Sequence, residues 1–224
     1  MRRRWQVVVA VAVGAALWLG LPALGRRTEF FRVRRVEFVG LRYGAPGPAL
    51  DSLRLPERLT VFDDLAPVAQ RARRIPGVTT ARVERRLPGT LVLHVTERRP
   101  VAVVPVRGRL AYMDSAGRVL PYDPSRAAAD LPVADSATPG TGRLLGRVLR
   151  FAPGLFGAIT EARAVGGDVM LIVEGRRYLF RPDATLEDMR AVQAVAADLV
   201  RRGEHFSELD GRYSGTVVVR GMDA

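Results

Sequence analysis

The stretch that decides the fold is residues 75–102, IPGVTTARVERRLPGTLVLHVTERRPVA. Residues 79–86 favour a strand, and in the run that follows, Leu91, Leu93 and Val95 fall on one face of a second strand. Leu87-Pro88-Gly89 lies between the two runs and favours a turn. The stretch therefore predicts a β-hairpin.

The residues before this hairpin predict one strand and two helices. Residues 35–40 alternate apolar and charged side chains and end at a glycine, which indicates a strand. A short helix is predicted around residues 49–53, inside a segment rich in proline and glycine. A second helix is predicted to run to about Arg74, with its N-cap at Asp63 or Asp64. Together with the hairpin, these elements give the order β-α-α-β-β over residues 33–98.

The residues after position 100 predict a region rich in strands. Residues 121–142 are rich in proline, alanine and aspartate, which favours an extended surface loop, and a helix is predicted at residues 143–152. The clearest helical pattern is residues 186–202, with Thr185 as N-cap and Gly203 just after the last turn. Short strands are predicted at 101–106, 109–113, 118–120, 168–173, 176–181 and 216–220. The fold class is therefore α+β, ending in a mostly antiparallel β domain with a long helix.

The N-terminus carries an uncharged run of 20 residues, from residue 5 to residue 24. A helix of that length spans roughly 30 Å, which matches the hydrocarbon core of a bilayer. We therefore expect a transmembrane helix at residues 5–25 and a cytoplasmic tail at residues 1–4, because more positive charge precedes the run than follows it. A cleaved signal peptide is the alternative, since Ala23-Leu24-Gly25 offers small residues at a cleavage-like spacing. Both alternatives place residues 30–224 outside the cytoplasm.

The charge of the chain is strongly positive. All 35 basic residues are arginine, against 23 acidic residues, so the net charge is +12. Such a charge is compatible with nucleic-acid binding. However, no basic cluster interleaved with aromatic residues and no known nucleic-acid motif accompanies it, so we expect no nucleic-acid partner.

The residue types also limit the chemistry that the chain can perform. The sequence contains no cysteine, which excludes disulfides and thiolate metal sites, and no lysine, which excludes a P-loop lysine and a Schiff base. His94 lies inside a predicted strand and His205 follows the long helix, so both have the positions of structural residues. We therefore expect no catalytic residue, no metal and no cofactor.

Two resemblances to known proteins follow from these patterns. The β-α-α-β-β block resembles a POTRA domain, a small polypeptide-binding module, and the whole chain resembles the FtsQ/DivIB family of bacterial cell-division proteins. The resemblance implies a POTRA domain at residues 30–99 and an FtsQ-type β domain at residues 100–224. The residues that carry it are Val36, Val39, Gly40, Pro76, Val78, Val83, Pro88, Glu97–Ala102, Met113-Asp114, Gly117, Leu131-Pro132 and Leu209–Tyr213.

This family resemblance implies a non-enzymatic function. It implies a single-pass inner-membrane protein with a cytoplasmic N-terminus and a periplasmic C-terminal domain, located at the division septum. Its implied partners are the FtsB and FtsL proteins, in a complex that regulates the septal peptidoglycan synthase. In the family, a strand of FtsB is added beside the terminal strand of the β domain. Here the implied partner-binding residues are Arg212, Tyr213, Ser214, Gly215, Thr216, Val217, Val218, Val219 and Arg220.

The residues themselves leave several alternatives open. The valine-rich run at residues 217–219 fits an open edge strand and fits an ordinary core strand equally well. Gly211 departs from the apolar residue that the family usually has there, which leaves the interface edge undefined. The chain also fits a POTRA-bearing exported protein for polypeptide transport or outer-membrane assembly, with a cleaved signal peptide. A periplasmic hydrolase of unrecognised type is a third alternative.

Overall fold

The computed structural model describes residues 29–125 and 130–221. The predicted cytoplasmic tail and transmembrane helix lie outside these residues. None of the helices in the described ranges is both long enough and apolar enough to cross a membrane. The described chain divides between Glu97 and Arg98 into two compact units, which we call the first unit and the second unit.

The first unit has the element order β-α-α-β-β that the sequence predicts. A three-stranded sheet has the order β1-β3-β2, in which β1 and β3 are parallel and β2 and β3 form an antiparallel hairpin. Both helices and the inner face of this sheet share one hydrophobic core. The elements are β1 (Arg35–Val39), α1 (Pro46–Leu53), α2 (Ala66–Arg73), β2 (Val78–Arg86) and β3 (Thr90–Glu97).

The start of α2 differs from the sequence prediction. Its N-cap residue is Leu65, and no side chain caps the helix. Asp63 instead accepts the N–H of Thr60 at 2.8 Å, and Asp64 accepts the N–H of Ala66 at 2.9 Å. The expected aspartate cap is therefore wrong in detail, because both carboxylates close turns ahead of the helix.

Glu97, at the end of β3, fastens the loop that follows β1. Its carboxylate accepts three consecutive main-chain N–H groups, from Arg42 at 2.6 Å and from Tyr43 and Gly44 at 2.8 Å. Three donors aimed at one carboxylate satisfy main-chain groups that would otherwise need water. Glu97 therefore joins two parts of the unit that are more than fifty residues apart in sequence.

The second unit is built on a nine-stranded sheet of order β12-β11-β10-β9-β8-β7-β4-β5-β6. Most neighbours are antiparallel, as expected; β7 is parallel to both of its neighbours, and β10 is parallel to β11. The strands are β4 (Pro100–Val106), β5 (Arg109–Asp114), β6 (Val119–Leu120), β7 (Val133–Ala134), β8 (Ile159–Val165), β9 (Asp168–Val173), β10 (Arg176–Phe180), β11 (Glu208–Tyr213) and β12 (Thr216–Arg220).

Three helices complete the second unit: α3 (Pro139–Phe151), α4 (Pro153–Ala158) and α5 (Leu186–Arg202). The long helix α5 has the predicted ends. Thr185 and Asp188 form a reciprocal capping box, and Gly203 ends the helix with φ of +72°. All three helices contribute to the hydrophobic core that the sheet also lines.

Residues 121–142 are more ordered than the sequence predicts. They contain the short strand β7, and α3 begins at Pro139 instead of at position 143. Thr138 is the N-cap, because its hydroxyl accepts the N–H of Thr141 at 3.2 Å, and proline is well tolerated in the first turn. The sequence prediction also missed β8, α4 and β11.

Candidate functional site

The predicted partner-binding strand, β12, is an edge strand of the nine-stranded sheet. It is paired on one side only, antiparallel to β11, with Val219 opposite Leu209 and Val218 opposite Asp210. The sequence left open whether this run is an edge or a core strand. The order of the sheet answers that question, because no described strand lies on the second side of β12.

The main-chain groups of β12 that face the open side belong to Val217 and Val219. The carbonyl of Arg220 accepts hydrogen bonds from the N–H of Ser207 at 3.2 Å and from its hydroxyl at 3.3 Å, so the main chain of Arg220 faces β11. Because these groups alternate in direction along a strand, Val218 also faces β11. The N–H and C=O groups of Val217 and Val219 therefore point away from the sheet.

The side chains of β12 give the edge two different faces. Val217 and Val219 pack against the hydrophobic core, and both remain half-buried. Val218 and Arg220 lie on the opposite face, since successive side chains of a strand alternate. A strand added at this edge would therefore meet apolar side chains on the core face and mixed side chains on the other.

A network of charged side chains supports this end of the sheet. Asp210 is completely buried and accepts two hydrogen bonds from Arg212, from Nε to Oδ1 at 2.8 Å and from Nη2 to Oδ2 at 2.7 Å. Arg212 also donates to Asp168 at 2.9 Å, and Arg220 donates to Glu208 at 2.9 Å. The network joins β9, β11 and β12, so it holds the edge strand in place.

The same network fixes the ionisation of its members. The hydrogen bonds from Arg212 hold the pKa of Asp210 below its ordinary value, against the effect of burial. Hydrogen bonds to Asp210 and then to Asp168 raise the pKa of Arg212 above its already high value. Both members of the pair are therefore charged at neutral pH, and Arg212 is occupied within the fold.

The remaining predicted residues form the turn into β12. Tyr213 ends β11 with 54% of its surface exposed, and the guanidinium of Arg212 lies 5.9 Å from its ring centre. Ser214 and Gly215 make the turn, where Gly215 has φ of +74°, and Thr216 begins β12. Tyr213 is thus the aromatic side chain that this end of the sheet presents to solvent.

Gly211, which departs from the usual family residue, has a structural explanation. A Cβ atom added there would lie 2.5 Å from Cγ2 of Val192 and 3.1 Å from Cε1 of Phe180. Helix α5 therefore packs directly on the main chain of β11 at this point.

Asp168 is a member of the charge network that the sequence analysis missed. It binds Arg212 across the sheet, and no local pattern in the sequence identifies it.

Over residues 29–125 and 130–221, no cluster of three or more potential metal ligands is present. His94 Nε2 lies 2.9 Å from Oε2 of Glu84 on the exposed face of the first unit's sheet. His94 therefore interacts with a carboxylate at the protein surface.

Comparison with known proteins gives a sequence relative. No family model matches the chain. Over 128 residues, 57% of the chain, it is 34% identical to the cell division protein FtsQ of Anaeromyxobacter sp. (strain K), and it spans 43% of the length of that protein. Among solved structures, the chain is similar to the major extracytoplasmic domain of the trans isomer of the cell division protein DivIB from Geobacillus stearothermophilus. The two are 20% identical, the match covers 47% of this chain and 97% of the DivIB domain, and the TM-score is 0.32. Over a little more than half of its length, the chain is therefore similar in sequence to an FtsQ cell-division protein.

Proposed function

We propose that this chain is a non-enzymatic cell-division protein that uses the open edge of β12 to bind a strand of a partner protein. The partner is FtsB, in a complex with FtsL, and the assembly regulates septal peptidoglycan synthesis. The observation that carries the proposal is the edge position of β12, with the main chain of Val217 and Val219 facing outward. Sequence similarity to an FtsQ cell-division protein supports the choice of partner.

The binding mechanism that fits this edge is strand addition. A partner strand would extend the nine-stranded sheet by bonding to the free N–H and C=O groups of Val217 and Val219. Each hydrogen bond contributes only about 0.5–1.5 kcal/mol, so side-chain burial against the apolar face of β12 supplies the rest of the affinity. Both arginines of the charge network are already paired within the fold, so the network orients the edge and leaves selection to the valines and Tyr213.

The domain assignment belongs to the same proposal. Residues 30–99 form a POTRA domain, supported by the β-α-α-β-β order of the first unit, and residues 100–224 form the FtsQ-type β domain. Residues 5–25 anchor the chain in the inner membrane with the C-terminal region in the periplasm, as the apolar run suggests. Anchoring would keep the β12 edge close to membrane-bound partners at the septum.

The experiment that tests the proposal is Val219→Pro, with FtsB from the same organism as the bound partner in a pull-down. Proline removes the N–H of Val219, which makes no bond within the fold, so we expect about tenfold weaker binding. Val219→Ala is the matched control, since it shortens the side chain and keeps the N–H; its binding should fall less. Val218→Pro is a poorer test, because its N–H faces β11 and its loss would disturb the fold. A folded Val219→Pro variant that binds FtsB normally would contradict the assignment.

A further inference from the structure

Strand β2 is a second open edge, in the first unit. In the order β1-β3-β2 it pairs with β3 on one side only. The N–H of Arg35 in β1 donates to the carbonyl of Gly89, just before β3, at 3.3 Å. Main-chain groups alternate in direction along a strand, so those of Val92 in β3 point toward β2. Val92 pairs there with Glu84, and the main chain of Glu84 therefore faces β3. The N–H and C=O groups of the neighbouring residue Val83 therefore face the open side of β2, as do those of Ala81 and Arg85.

The exposed face of β2 carries alternating charges. Arg82, Glu84 and Arg86 occupy this face, and all three are exposed. Arg86 is paired with Glu37 at 2.8 Å, and Glu84 lies beside His94. Arg82 has no ion-pair partner among the residues that the structure describes. The edge thus combines free main-chain groups with an uncompensated cation.

We propose that two copies of this chain associate through their β2 strands, paired antiparallel about a two-fold axis at Val83. This register places Val83 opposite Val83 of the second copy, with Ala81 opposite Arg85 on either side, and joins the copies by about six main-chain hydrogen bonds. It also places Arg82 opposite Glu84 of the second copy, twice by symmetry. These two charge pairs occupy the closely spaced positions between the hydrogen-bonded pairs, where opposite side chains interact most strongly.

The charges select this register over its neighbours. Moving the axis by one residue, to Glu84, would place Glu84 opposite itself and Arg82 opposite Arg86. Moving it to Arg82 would place Arg82 opposite itself. Both alternatives set like charges directly across the strands, which is destabilising. A groove of about 900 Å³ between β2 and α2 leaves room on the helix side for the side chains of an added strand.

The first test uses disulfide trapping, which the sequence favours because it contains no cysteine. In Val83→Cys, the Cα atoms of the two copies would lie about 5.5 Å apart, within the range that a disulfide requires. The full-length variant in membranes, treated with a mild oxidant, should give a dimer on a non-reducing gel. Val39→Cys, on the open edge of β1 and 48% exposed, is the matched control and should stay monomeric. Absence of a dimer with Val83→Cys, or equal trapping at both positions, would overturn the proposal.

The second test exchanges the charges in the Val83→Cys background. Arg82→Glu and Glu84→Arg should each reduce trapping about tenfold, because each replaces two attractive pairs by two repulsive ones. The double variant should restore it, since the opposite charges meet again. Trapping that stays low in the double variant, or that ignores the single changes, would overturn the proposal. Strand β2 belongs to the first unit, so neither outcome bears on partner binding at β12.

Discussion

Asp210 combines a charged side chain with complete burial. Its carboxylate is completely buried and is held by two hydrogen bonds from Arg212. We expect Asp210→Asn to destabilise the fold by about 2 kcal/mol, because hydrogen bonds to charged groups are worth more than neutral ones. Urea denaturation measures the change. Glu161→Gln is the control, since the Glu161–Arg163 pair is exposed on both sides and should contribute less than about 0.5 kcal/mol. Equal effects of the two variants would contradict this assignment.

The same residue predicts a pH dependence. The folded-state pKa of Asp210 is lowered, so the stability that its charge contributes is fully present above the unfolded-state pKa of about 3.9. That contribution is lost as the pH falls through the lower, folded-state pKa. The stability difference between the natural protein and Asp210→Asn should therefore be constant from pH 7 to about pH 5 and shrink in stronger acid. Urea denaturation at several pH values tests this; a difference that grows in acid would show the opposite sign of linkage.

Gly211 shows how closely one helix approaches one strand. Because a Cβ atom there would lie 2.5 Å from Val192, we expect Gly211→Ala to destabilise the fold by about 1–3 kcal/mol. Gly157→Ala is the matched control, since no atom outside its chain neighbours and its own helix backbone lies within 4 Å of its added Cβ. Thermal unfolding of both variants gives the comparison. A Gly211→Ala variant as stable as the natural protein would mean that α5 can shift away from β11.

At the scale of elements, local signals account for what the sequence predicted well. Helix α5 has a capping box, a periodic apolar stripe and a terminal glycine, and each signal lies within a few residues of the position that it defines. The start of α3 was missed because Pro139-Gly140 looks like a helix breaker, whereas proline suits the first turn after the Thr138 cap. Strand β8 was missed because its buried residues, Ile159 and Ala162, are three apart and follow no strict alternation.

Edge positions are the feature of the elements that local patterns do not encode. Thr216–Arg220 reads as a strand from its β-branched residues, but its place at the end of the sheet depends on the pairing of β11 with β10. That pairing joins segments separated by the whole of α5, so only the fold reveals it. The residues implied by the family resemblance therefore include some that face outward, such as Val219, and some that hold the fold together, such as Arg212.

At the scale of the whole molecule, the uncharged N-terminal run predicts a membrane anchor. We expect mass spectrometry of the protein isolated from membranes to find the N-terminal segment retained, because 20 uncharged residues are enough to span a bilayer as an anchor. The charge difference across this run predicts a cytoplasmic N-terminus. A mature chain that begins near Arg26 would instead support the alternative of an exported protein with a cleaved signal peptide.

The arrangement of β1 and β3 has a mechanical consequence. The chain enters the first unit's sheet at Arg35 and leaves it at Glu97, and the two strands are parallel neighbours over five registered pairs, from Arg35–Thr90 to Val39–His94. Tension between an anchor on one side and a bound partner on the other would therefore pull the strands lengthwise past each other. Their hydrogen bonds would be loaded together instead of opening one at a time. The hold of Glu97 on residues 42–44 adds three further bonds at the end that is pulled, so the geometry of this small sheet resists tension applied between its two ends.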